Sequence, residues 1–216
     1  MTRRWADLAA VFLLVLGGCK GMTGVRGSGV AKMETRELSA FEAIDLSGVG
    51  RLEVAVGKAG PLTLTTDDNL LPLVITEVRE NRLVIRESER INPQTPLVIS
   101  VATPKLSGVE VSGAAHCIVK DLFGDSFEAS VSGAGTVEAA GAVKSLSVSI
   151  SGAGDVKAFD LKCEQAEVSL GGAGAAEINA ARSLKAGISG VGRVTYMGEP
   201  AVEKSVTGAG RIERRQ

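Results

Sequence analysis

His116, the only histidine, has Ser112 four residues before it and Asp121 five residues after it. Serine, histidine and aspartate are the parts of an acyl-transfer triad, in which the imidazole takes the serine proton and the carboxylate orients the imidazole. The competing reading makes His116 a solvated residue just past a glycine-rich turn. One imidazole also excludes any metal site built on several histidines. Glu128 and Glu138 are a pair of acids of the kind a polysaccharide hydrolase or lyase uses. Asp67 with Asp68, or Asp155 with Asp160, could hold a cation, although turn carboxylates are ordinarily solvated. Gly171-Gly172-Ala173-Gly174 has the opening of a calcium-binding nonapeptide, but Ala176 stands where that motif needs aspartate. Glycine-rich turns also cradle phosphate where a helix N-terminus follows, and here a strand follows. Sugar sites further want aromatic platforms. Past residue 19 the aromatics are Phe41, Phe123, Phe127, Phe159 and Tyr196, with Phe127 on an apolar column. These residues favour a protein that is not an enzyme and has no catalytic, cofactor or metal site. A polysaccharide lyase or hydrolase is the alternative.

Cys19 has a different chemistry. Arg3 and Arg4 precede an apolar stretch, Leu8 to Leu16, too short to span a bilayer, and Leu16-Gly17-Gly18-Cys19 is similar to the lipobox of bacterial lipoproteins. Asp7 in the basic leader is the one departure. Residues 1–19 are then a lipoprotein signal peptide, and acylation of Cys19 anchors the chain to a membrane without a transmembrane helix. The expected location is exported and lipid-anchored, at the outer membrane on its periplasmic face or at the cell surface if the source is Gram-negative. A periplasmic structural role is a second alternative. Without the leader the chain has 22 basic and 24 acidic residues, so nothing draws it to nucleic acid. Its partners are then the membrane and an envelope, cell-surface or glycan partner. Cys117 falls on an apolar column and Cys163 two coils further on, so no disulfide is expected between them.

The chemistry gives way to a repeat. Ser132-Gly133-Ala134-Gly135 returns as Ser151-Gly152-Ala153-Gly154, Gly171-Gly172-Ala173-Gly174, Ser189-Gly190-Val191-Gly192 and Thr207-Gly208-Ala209-Gly210. Ser112-Gly113-Ala114-Ala115 is an eroded copy and Ser47-Gly48-Val49-Gly50 a detached one. From Gly113 the first glycines are 20, 19, 20, 18 and 18 residues apart, the period of a stacked-coil protein. Two residues before them stand Leu46, Val111, Val131, Ile150, Leu170, Ile188 and Val206. Four before stand Ile44, Val109, Ala129, Val148, Val168 and Ala186, with Lys204 breaking the column; six before, Phe127, Leu146, Ala166, Leu184 and Val202. Four after stand Leu52, Cys117, Val137, Val156, Ala176, Val194 and Ile212. Polar residues alternate with them, so each strand wets one face and buries the other against its stacked copies. Strands recurring every 18–20 residues without an intervening helix predict an all-β parallel β-helix solenoid over residues 106–214. Gly48, Gly50, Gly113, Gly133, Gly135, Gly152, Gly154, Gly172, Gly174, Gly190, Gly192, Gly208 and Gly210 are its corner residues, where φ is forbidden to other types or backbones crowd.

Residues 20–35 lack periodicity and read as a flexible tether. Residues 36–105 read as an all-strand half of the same domain, with a hairpin turning at Glu80-Asn81. Phe41-Glu42-Ala43-Ile44, Asp67-Asp68-Asn69-Leu70-Leu71-Pro72, Glu77-Val78 with Leu83-Val84-Ile85, and then the serial glycine phrases resemble the head GIN domain family of bacteria, also called autotransporter adhesin head domain. The resemblance covers about residues 36–214. It implies a right-handed β-helical fold, an envelope or secreted location and a role in adhesion. No catalytic residues come with it.

Overall fold

The computed structural model describes residues 24–215. The leader 1–19, Cys19 and the first residues of the expected tether lie outside them. The chain is 69 % strand and forms a β-solenoid of about five turns with mostly parallel bridges. Among the described residues no helix is long and apolar enough to cross a membrane.

The strands are β1 (Val25–Arg26), β2 (Ala31–Arg36), β3 (Ala43–Leu46), β4 (Val49–Val56), β5 (Leu62–Asp67), β6 (Val74–Arg79), β7 (Arg82–Glu87), β8 (Ile91–Asn92) and β9 (Val98–Thr103) in the first half. A 3₁₀ turn, Leu71–Leu73, lies between β5 and β6. The repeat region adds β10 (Gly108–Val111), β11 (Ala114–Val131), β12 (Thr136–Ile150), β13 (Asp155–Leu170), β14 (Ala173–Ile188), β15 (Val191–Met197), β16 (Ala201–Val206) and β17 (Arg211–Arg214).

Each glycine phrase is the corner between two walls. Wall A, before the corner, stacks β7, β3, β10, β11, β12, β13, β14 and β16 in that order, every step parallel. Wall B, after the corner, stacks β9, β4, β11, β12, β13, β14, β15 and β17, again in parallel. A short third wall closes the coil, with Leu122–Gly124 on Gly141–Val143 and the latter on Leu161–Cys163. Register shifts separate it from wall B, between Val119 and Leu122, Glu138 and Gly141, and Ala158 and Lys162. Those slips hide the third wall from a fixed-period reading.

The spatial order differs from the chain order. The detached phrase at Ser47 is not outside the array: its strands β3 and β4 lie directly beneath β10 and β11. The chain then leaves the stack, builds the layer below with β7 and β9, and returns at β10. The β6–β7 hairpin turns at Glu80 (φ 48°) and Asn81 (φ 64°), a pair of left-handed residues matched to the twist of the flanking strands.

The columns fill the interior. Ile44, Val109, Ala129, Val148, Val168 and Ala186 are buried, as are Leu52, Cys117, Val137, Val156, Ala176 and Val194. Parallel stacking in register puts each aliphatic on its like in the next coil, which excludes water along the whole axis. The last coil breaks the rule. Val206 is 44 % exposed, and the Nζ of Lys204, on the column that is aliphatic below it, donates to Ile212 O at 3.0 Å and lies 5.6 Å from the Tyr196 ring centre. An inward-directed cation closes the open end of the stack against edge pairing.

The segment read as tether contains β1 and β2. β1 pairs with β8 in parallel and β2 with β5 in antiparallel register. No apolar period marks these strands, because polar groups of the Asp-Asp-Asn block hold them. Asp67, fully buried, accepts from the backbone N–H of Gly29 (2.8 Å), Gln94 (2.8 Å) and Thr95 (3.1 Å). Asn69 accepts from Ser28 N and donates to Arg26 O, both at 2.9 Å.

Candidate functional site

Repeating the corner phrase builds a narrow ridge. The N–H of Ala134 donates to Gly113 O (3.0 Å), that of Ala153 to Gly133 O (2.9 Å), that of Ala173 to Gly152 O (2.9 Å) and that of Val191 to Gly172 O (2.9 Å). The ladder thus runs through the corner without a break. A Cβ on Gly133, Gly152, Gly172, Gly190 or Gly208 would be driven into the carbonyl of the glycine one coil below. Only Gly48 and Gly50 of the corner glycines take a positive φ, 130° and 116°. Crowding between coils, and not backbone conformation, is what demands glycine along most of the ridge. Positive φ values occur instead where the chain turns toward the third wall, at Asp121, Gly124 and Gly141.

The outer face of wall B carries the residues with candidate chemistry. Its ladders run Arg51, His116, Thr136, Asp155, Ala175 and Glu53, Ile118, Glu138, Lys157, Glu177. His116 Nε2 lies 3.2 Å from Glu138 Oε1, which Lys157 Nζ also approaches at 2.9 Å. The His116 contact lacks hydrogen-bond alignment and leaves Nε2 shielded but unsatisfied. Lys157 holds the Glu138 carboxyl below the usual carboxylate range, so Glu138 is ionised at neutral pH and cannot deliver a proton as a general acid. Asp121 is five residues of strand and a bend away from His116, about 16 Å at strand rise, so the triad is not assembled. Glu128 lies on the outer face of wall A and Glu138 on that of wall B, which separates the expected acid pair.

Asp155, Asp67 and Asp68 are bonded within the fold. Asp155 Oδ1 accepts from Ala175 N at 2.8 Å, and Asp160 stands at the opposite end of the same strand stretch. Asp67 faces inward while Asp68 is exposed and accepts from Ser28 Oγ at 2.5 Å. Desolvation raises the Asp67 pKa, but the N–H donors of Thr95, Gln94 and Gly29 outweigh it and hold the carboxyl below its ordinary value. Among the described residues no group of three or more His, Cys, Asp or Glu side chains could hold a metal ion. Cys117 and Cys163 are free thiols on different walls, and burial pushes their pKa values up to about 12 and about 11, far from thiolate reactivity.

Several surface charges bridge neighbouring coils. Asp125 meets Lys144 at 2.6 Å, Glu164 meets Arg182 at 3.4 Å, and Glu167 meets Lys185 at 3.1 Å. Opposite charges directly across parallel strands fix register, each with a modest contribution.

The outer face of wall A, which holds the Glu167–Lys185 bridge, carries two ladders. Ser126, Ser145, Gln165 and Ser183 form one ladder and Glu128, Ser147, Glu167, Lys185 and Glu203 the next. Together they line a groove of about 850 Å³ that crosses five coils. Its bottom is the buried column of Phe127, Leu146, Ala166 and Leu184. The sequence flagged the column but not the groove, whose polar residues vary in type and share only their register.

Solved structures with this fold include a "putative adhesin" from Bacteroides fragilis, 23 % identical, TM-score 0.71, with 89 % of this chain and all of that one covered. A "putative adhesin" from Parabacteroides distasonis is 23 % identical with TM-score 0.58, covering 88 % and 99 %. A "putative lipid binding protein" from the same organism is 21 % identical with TM-score 0.54, covering 89 % and 99 %. No curated protein matches the sequence. The family model described as "Putative auto-transporter adhesin, head GIN domain" matches residues 40–200, three quarters of the sequence, and the chain belongs to that family.

Proposed function

We propose that this protein is a non-catalytic, lipid-anchored module of the bacterial cell envelope that displays wall A as an adhesion or interaction surface. The observation that carries this reading is the allocation of polar groups. On wall B Glu138 is bonded to Lys157 of the next coil, whereas the five-coil groove of wall A carries an uncharged row, Ser126, Ser145, Gln165 and Ser183, with the Glu167–Lys185 bridge on the neighbouring ladder. A long, shallow, polar track suits an extended partner such as a glycan or a polypeptide strand better than a small substrate, which calls for a concave site. The adhesin description of the family agrees with this use, and Leu16-Gly17-Gly18-Cys19 supplies the anchor.

Protease shaving of intact cells tests the surface role. Digestion from outside supports adhesion, and protection until the outer membrane is opened would move the protein to a periplasmic role. Release of reducing ends from acidic polysaccharide by the purified protein would overturn the non-catalytic reading.

A further inference from the structure

The outer face of wall A repeats in two directions. Beside the ladder of Ser126, Ser145, Gln165 and Ser183 runs that of Glu128, Ser147, Glu167, Lys185 and Glu203, and beyond it Ser130, Ser149, Ser169 and Ser205 share a further register. Neighbours along a ladder are one strand spacing apart, about 4.8 Å, and neighbouring ladders are two residues apart, about 6.6 Å. Both spacings exceed hydrogen-bond reach. Among the described residues none of these serine hydroxyls bonds to another protein group. Each can both donate and accept, so the face is a regular array of hydroxyls without protein partners.

The backbone decides what such a face can hold. Wall A uses its N–H and C=O groups in the ladders between coils, so an added polypeptide strand, which binds through those groups at a sheet edge, finds none here. A strand laid along the solenoid axis would also advance about 3.3 Å per residue, out of step with coils about 4.8 Å apart. Pyranose rings linked through equatorial oxygens advance close to one coil spacing per ring, and their hydroxyls donate and accept in turn. Charge narrows the choice further. The groove sets three carboxylates, Glu128, Glu167 and Glu203, against one cation, Lys185, which Glu167 holds at 3.1 Å. The cations bordering the first ladder are bonded as well, Lys144 to Asp125 and Arg182 to Glu164. The groove is therefore negative and repels uronates and other acidic sugars.

We propose that the groove of wall A binds a neutral, extended hexopyranose chain laid along the solenoid axis, one ring to each coil. The inference deepens the interaction surface proposed above and rests on it. Ser126, Ser145, Gln165 and Ser183 meet the ring hydroxyls from one side and Ser147 from the other, while Glu128 and Glu203 exclude acidic chains. Phe127, the aromatic residue of the groove, is buried at its bottom and offers no platform. Each ring therefore contributes little, and affinity grows with the number of coils engaged.

The test is calorimetric titration of the full chain with cellopentaose, chitopentaose and pentagalacturonate, and with cellobiose and chitobiose as short controls. At least one neutral pentasaccharide should bind with Kd of about 1 mM, at least about tenfold more tightly than its disaccharide and than pentagalacturonate. Ser145→Arg and Ser147→Arg fill the middle of the groove from exposed positions and should each weaken that binding at least about tenfold. Asp160→Arg, exposed between wall B and the third wall, should leave it unchanged. Glu128→Gln with Glu203→Gln should bring pentagalacturonate to within about threefold of the neutral chain, as relief of repulsion requires. Binding of neither neutral pentasaccharide, equal binding of pentagalacturonate by the parent, or binding that Ser145→Arg leaves intact would overturn the proposal. Protease shaving is read in parallel. External digestion of a protein that binds no glycan spares the surface role and overturns the glycan site; glycan binding by a protein that is protected in intact cells spares the site and overturns the surface role.

Discussion

Ala114 N donates to Gly48 O at 2.8 Å, and a Cβ on Gly113 would be driven into that same carbonyl. Two phrases separated by a long excursion in sequence are thus consecutive rungs of one ridge. The close approach of glycine to the carbonyl below recurs at each later corner, so the ridge is continuous from Gly48 to Gly208.

The ridge predicts a sharp contrast between glycines. Gly172→Ala forces apart two coils in the middle of the stack and should cost about 2–4 kcal/mol, as overpacking against backbone does. At Gly187 an added Cβ meets only Val168 O at 3.9 Å. Gly187→Ala should be neutral or stabilising by up to about 1 kcal/mol, since it restricts the unfolded chain. Urea unfolding midpoints of the two variants decide the matter, and equal shifts would contradict crowding as the reason for the ridge.

Asp67 predicts an acid-labile amino terminus. Its folded pKa is depressed, so its contribution to stability is present above the unfolded value, near 3.8, and is lost as pH falls through the folded one. Asp67→Asn keeps the shape but puts an amide N–H₂ where backbone N–H donors point. The variant should unfold at lower urea than the parent at pH 7, and the difference should shrink as the pH is lowered below about 4. Hydrogen exchange should locate the loss in β1 and β2.

Lys204 predicts how the stack ends. Lys204→Val completes the aliphatic column at an open edge and should raise end-to-end association roughly tenfold, the equivalent of about 1.4 kcal/mol. Lys204→Arg should leave association unchanged. Sedimentation velocity over a concentration series measures both.

The bridges between coils predict weak, screened coupling. A double-mutant cycle on Glu138 and Lys157, both partly exposed, should give about 0.5 kcal/mol at low salt and close to nothing at about 1 M salt. A coupling that survives high salt would point to a buried network at His116.

Thiol titration checks the interior. Neither Cys117 nor Cys163 should react with an aromatic disulfide reagent at pH 8 in the folded protein, because burial raises their pKa values to about 12 and about 11. Both should react at once in denaturant.

By itself the sequence determined the coil. The aliphatic columns and the glycine phrase recur at fixed offsets because parallel strands in register confront each residue with its own copy, and such a constraint writes itself into spacing. Tertiary structure decided everything that spacing does not carry. The layer containing Gly48 lies second in space although it comes first in the chain, because β7 and β9 slide beneath it after a long excursion. Val25 to Arg36 forms strands without any apolar period, since buried Asp67 and the side chain of Asn69 supply the partners that a core would otherwise supply. Two or three strands per coil fit the spacing equally, and the third wall has no period of its own because register slips at Val119, Glu138 and Ala158 intervene. The catalytic candidates failed for a related reason: along one wall neighbours in sequence lie far apart, and what stands next to His116 is Glu138 from the next coil and not Ser112 or Asp121.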